Sequence, residues 1–69
     1  MEKLTIRDEH IKLGQALKLG GLASSGVEAK IIVQNGEVTV NGNTELRRGR
    51  KLYHGDIVSY HGETIQIVQ

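Results

Sequence analysis

The residues with the clearest chemistry are Arg47, Arg48, Arg50 and Lys51, four cations packed into the run Arg47-Arg48-Gly49-Arg50-Lys51. The 69-residue chain carries nine basic and eight acidic side chains, a formal net charge of +1. Up to residue 37 the charges balance: Lys3, Arg7, Lys12, Lys18 and Lys30 face Glu2, Asp8, Glu9, Glu28 and Glu37. Beyond Val38 the only basic residues are the four of the run. A local excess of this kind, uncompensated on a neutral chain, is an address for phosphate-bearing polyanions. Three of the four are arginine, whose planar fork matches phosphate bidentately. The competing reading is a solvated charged loop without a ligand.

Other chemistry is missing. No nucleophile stands beside a base, no Walker lysine is present, and no carboxylate pair suits acid–base work, so a non-catalytic protein is expected. Ser24-Ser25-Gly26 lacks the glycine spacing of a phosphate-binding loop. His10, His54 and His61 do not fall at ligand spacing on a helix, and cysteine is absent, so neither a metal site nor another cofactor is expected. His54 lies near enough to the basic run in sequence to add charge when protonated. Tyr53 and Tyr60 are the only aromatic side chains besides the histidines. Two rings make a poor platform for stacked bases, so any nucleic acid would be held by shape and phosphate contacts.

The elements that must position these groups follow from the apolar spacing. Leu4 and Ile6 alternate with polar neighbours, predicting a short leading strand. Leu13, Ala16 and Leu17 stand at i, i+3 and i+4 in a helix over 11–19, which Gly20-Gly21 ends. Gly14 weakens that helix by about 1 kcal/mol relative to alanine. Ser25 and Glu28 form a capping box opening a second helix: the serine takes the Glu28 N–H, and Glu28 reaches back to the cap. Ala29, Ile32 and Val33 are its buried stripe, Lys30 and Gln34 its outer face, and Asn35-Gly36 its stop. Val38-Thr39-Val40 reads as a strand, and Asn41-Gly42 as a hairpin turn. Residues 43–45 begin the return. Gly49 bends the basic run, and Leu52 anchors it to the core. Strands over 57–60 and 63–68 flank a His61-Gly62 turn. The fold class is α+β: two short helices packed on a small, mostly antiparallel sheet.

A chain of this length forms one domain, here spanning 1–69, and hides only about 60% of its unfolded surface. Its core must be aliphatic. No stretch is apolar enough for a membrane span, and the first residues lack the order of a signal peptide. A membrane partner and a small-molecule substrate are therefore not expected.

Leu13 and Leu17, then Ser25 with Ala29-Lys30, then Glu37-Val38-Thr39-Val40-Asn41-Gly42, then Gly55-Asp56 together resemble the RNA-binding domain first described in ribosomal protein S4. The likeness covers about residues 11–60 and is nearest to small stand-alone bacterial members. It implies the alpha-L RNA-binding motif, a cytoplasmic location, and a binding face for structured RNA built from the helices and adjoining turns. The positions it marks for RNA contact are Lys12, Ser25, Lys30, Arg47, Arg48 and Lys51, and Arg50 joins them from the basic run. Many members place arginine directly after the serine, whereas this chain has Gly26. Either a phosphate contact is lost there, or the basic loop takes it over while glycine lets phosphate approach the helix N–H groups. The partner expected is a stem-loop or duplex, such as ribosomal RNA or tRNA, in ribosome assembly or translation. An acidic protein partner is the alternative, and DNA a third.

Overall fold

The 15 buried aliphatic side chains that form one core decide how the chain folds, and a computed structural model describes all of it, residues 1–69. In chain order the elements are β1 (Glu2–Thr5), β2 (Ile11–Lys12), α1 (Leu13–Leu19), α2 (Gly26–Gln34), β3 (Val38–Val40), β4 (Asn43–Thr44), β5 (Lys51–Leu52), β6 (Ile57–Tyr60) and β7 (Glu63–Val68). Five strands make the main sheet in the order β1-β7-β6-β3-β4, and β2 and β5 make a separate two-stranded ribbon. All pairings are antiparallel except β1 with β7. The expected architecture of two helices on a small, mostly antiparallel sheet is present.

Period-two burial builds the sheet face. Val38, Val40, Val58, Ile65 and Ile67 point inward and lose nearly all exposure. Leu13, Ala16 and Leu17 of α1 and Ala29, Ile32 and Val33 of α2 close over them. Gly20 lets α1 end against β7, because a Cβ there would lie 2.8 Å from Ile65 Cδ1. Both hairpin turns have positive φ at their two central residues, Asn41 and Gly42 in one, His61 and Gly62 in the other. That is the geometry matching strand twist. Asn41 is held there by donating from Nδ2 to Asp56 Oδ1 (3.0 Å) and accepting the Ile57 N–H on Oδ1 (2.9 Å).

Two expectations need correction. The first helix starts at Leu13, not at residue 11, because Ile11 and Lys12 are extended and pair with Leu52 and Lys51. Lys12 offers no side-chain cap, so loop carbonyls cap α1 instead: Leu13 N–H donates to Arg50 O (2.8 Å) and Gly14 N–H to Arg48 O (3.0 Å). The capping box at α2 is also shifted. Ser25 Oγ accepts the Glu28 N–H as expected (3.1 Å), but the Glu28 carboxylate takes the N–H and hydroxyl of Ser24, both at 3.0 Å. An extended Ser25 (φ −156°, ψ 168°) leaves Ser24 as the residue facing that carboxylate.

Candidate nucleic-acid interface

The basic run is a turn clamped to the start of α1. Arg50 N–H donates to Arg47 O (3.2 Å), which closes a four-residue bend with Arg48 and Gly49 at its corner. The two carbonyl caps on Leu13 and Gly14 hold that bend against the helix, and buried Leu52 returns the chain to the core. Contact is closest at Gly14, where an added Cβ would sit 2.5 Å from Arg48 Cγ and 3.0 Å from Arg48 Cδ. Gly14 is therefore the seat of the Arg48 side chain. The notch that weakens α1 positions a cation.

Around this seat lies a shallow cleft of about 340 Å³. Lys12, Gly14, Gln15 and Lys18 line it from α1 and its lead-in, Gly26 from the start of α2, and Arg48 and Gly49 from the bend. No carboxylate lines it. Gly26 and Gly49 have open space where a Cβ would point, so backbone is accessible there. The first N–H groups of a helix have no intrahelical partner, and Ser25 satisfies only that of Glu28 at the α2 entrance.

Charge in the run is not uncompensated, contrary to the reading of the sequence. Glu45, only 6% exposed, sits beneath it. Its Oε2 accepts Arg47 Nε and the Arg47 backbone N–H, both at 3.0 Å, and its Oε1 accepts Arg50 Nη1 at 3.0 Å. The Arg47 hydrogen bond, joined by that from Arg50 and working against burial, holds the Glu45 carboxyl down at about 2. The same contact raises the Arg47 guanidinium above its ordinary value. In sequence Glu45 reads as the polar continuation of a return strand. β4 ends at Thr44, and the chain turns Glu45 inward. Arg47 and Arg50 are thus tied to a carboxylate that shapes the bend, while Arg48, Lys51, Lys12 and Lys18 form no ion pair.

The expected site residues therefore separate. Lys12 and Arg48 line the cleft, and Lys51 lies directly across the ribbon from Lys12. Like charges opposite one another in an antiparallel pair are destabilising. Ser25 is a helix cap, part-buried beside the cleft. Lys30 is exposed one turn beyond Gly26 and outside the cleft. Arg47 remains three-quarters exposed despite its bond to Glu45. Lys18 and Gly14 join the cleft although neither is among the positions expected to contact RNA. Their spacing of four puts them on one face of α1, a signal visible in sequence once Gly14 is read as a seat rather than a defect. His54 faces elsewhere, with Nδ1 accepting the Gln69 N–H at 3.0 Å.

Comparison with known proteins bears on the family and the fold. The S4 domain model matches residues 4–68, wider than the stretch on which the sequence likeness rests. YbcJ of Escherichia coli strain K12 is 41% identical over 59 residues, covering 86% of this chain and 84% of YbcJ. The probable ribosome maturation protein RlbA of Bacillus subtilis strain 168 is 48% identical over 59 residues, covering 86% of this chain and 83% of RlbA. The solution structure of E. coli YbcJ, described as revealing an alpha-L motif involved in RNA binding, superposes with a TM-score of 0.77 at 36% identity, over 100% of this chain and 89% of that one. The 30S ribosomal protein S4e of Thermoplasma acidophilum matches with a TM-score of 0.63 at 26% identity, over 84% of this chain and 31% of its own.

Proposed function

The chain belongs to the S4 domain family, and on that premise we propose that it binds structured RNA through the sugar-phosphate backbone, without catalysis. One observation carries this reading. Three unpaired cations, Lys12, Lys18 and Arg48, converge with three glycines on a cleft that holds no carboxylate. A phosphate seated there meets Arg48 on one side and the α2 entrance at Gly26 on the other, where backbone N–H groups and the helix dipole favour negative charge. Lys51 extends the positive surface across the ribbon. None of these groups is set to read a base edge, so binding is weakly sequence-selective. The RNA-binding motif described for YbcJ supports RNA as the target, and the ribosome maturation role named for RlbA supports ribosomal RNA met during ribosome assembly.

The test is fluorescence anisotropy with a labelled ribosomal-type stem-loop across a salt series. Neutralising about four phosphates gives a log–log salt slope of about −3.6. Changing Lys12, Lys18, Arg48 and Lys51 together to alanine abolishes binding and leaves the melting temperature within a few degrees. An RNA that stays unbound at low salt, beside an acidic protein captured through those same residues, overturns the proposal.

A further inference from the structure

The outward face of the β2–β5 ribbon shares Lys12 with the phosphate cleft and runs on past it to residues that line no part of it. Ile11 pairs with Leu52, and both are buried. Lys12 and Lys51 pair and point outward. Extending that register by one residue sets His10 opposite Tyr53, again on the outward side. Their rings meet at 5.9 Å between centroids, tilted by 52°. The face thus carries two cations beside two aromatic rings. Tyr53 is 45% exposed. Its backbone is fixed, since its N–H donates to Asp56 Oδ2 at 2.8 Å, and Asp56 is itself held by Asn41. A rigid exposed ring next to unpaired ammonium groups is the composition that grips an unstacked nucleotide, base on ring and phosphate on cation.

We propose that this outward face of the ribbon takes one unpaired nucleotide of the bound RNA, its base stacked on the Tyr53 ring beside His10 and its phosphate between Lys12 and Lys51. This rests on the RNA-binding reading and deepens it: the protein prefers a stem carrying a bulged or looped-out base over an unbroken stem. Stacking one base is worth about 1–3 kcal/mol, so the preference is about 5- to 150-fold.

Two RNA hairpins test it, identical except for one bulged nucleotide, with 5-iodouridine at the bulge for photocrosslinking. The wild-type protein binds the bulged hairpin more tightly within that range, and the crosslink maps to the peptide holding Tyr53 or His10. Tyr53→Ala abolishes the preference without changing affinity for the unbroken hairpin, whereas Tyr53→Phe keeps it. Equal affinity of the wild type for both hairpins, or a crosslink elsewhere, overturns the stacking proposal and leaves phosphate binding standing. Failure of the wild type to bind either hairpin overturns both. Should Tyr53→Ala not fold, the crosslink site and the wild-type preference decide.

Discussion

Replacing Gly14 with alanine separates the role of this residue in the helix from its role under Arg48. Alanine improves helix propensity by up to about 1 kcal/mol. Its methyl group would arrive 2.5 Å from Arg48 Cγ. Carbon atoms rest at about 3.5–4.0 Å, so the side chain must retreat by about 1 Å or change rotamer. The atoms in the way belong to an exposed, flexible side chain, and the Arg48 carbonyl stays at 3.7 Å. An off-rotamer adjustment costs about 0.5–1.5 kcal/mol. The two effects nearly cancel, and the melting temperature moves by less than about 5 °C. RNA affinity does not escape. Losing one phosphate contact changes the salt slope by about 0.9 and lowers affinity about eightfold at 0.1 M salt. Fluorescence anisotropy across a salt series, paired with thermal melts, reads both quantities. A double-mutant cycle sharpens the result. In an Arg48→Ala background the obstacle is gone, so Gly14→Ala stabilises the fold by up to about 1 kcal/mol and costs no further affinity. Wild-type affinity and slope in Gly14→Ala, or a second full loss of affinity on top of Arg48→Ala, would refute the seating of Arg48 on Gly14.

Three further outcomes are expected. Glu45→Gln loosens the bend and destabilises the fold by about 1–2 kcal/mol, a figure discounted because Arg47 is largely solvated, and urea melts measure it. In the wild type this stabilisation is present above the ordinary carboxyl value of 4.5 and is lost as pH falls through the folded value of about 2. Melts from pH 6 down to pH 2 therefore show a drop, between about pH 5 and pH 2, that Glu45→Gln lacks. Asn41→Ala removes two hydrogen bonds and strains a positive-φ position, costing about 2–3 kcal/mol. It leaves affinity for an unbroken hairpin unchanged when measured well below the melting temperature. Ser25→Ala costs about 1 kcal/mol through the lost cap on the Glu28 N–H, read by the same melts.

Local signals made most of the scaffold legible. Asn41-Gly42 and His61-Gly62 announced their turns because few residues accept positive φ. The strands at 38–40, 57–60 and 63–68 followed from period-two burial, and α2 from Ser25 and the Ala29, Ile32, Val33 stripe. What escaped depended on partners distant in sequence. Ile11 fits a helical stripe and joins a strand only because Leu52 lies across from it. The start of α1 is set by carbonyls of residues 48 and 50, which no local pattern around Leu13 reveals. Glu45 looks like surface until the bend folds Arg47 and Arg50 over it. The basic run was visible as a charge cluster, but which cations stay free for a ligand is a three-dimensional fact. The grouping of Lys18 with Arg48 and Gly26 needs the helices placed side by side.

The most direct test follows backbone amide resonances by 15N-edited NMR while a structured RNA hairpin is titrated in. Gly14, Gln15, Lys18, Gly26, Arg48 and Gly49 should shift together and saturate with one binding curve, while amides of β1 and β7, which line no part of the cleft, stay in place. Shifts confined to β1 and β7, with the bend and both helix entrances unmoved at saturating RNA, would contradict the account.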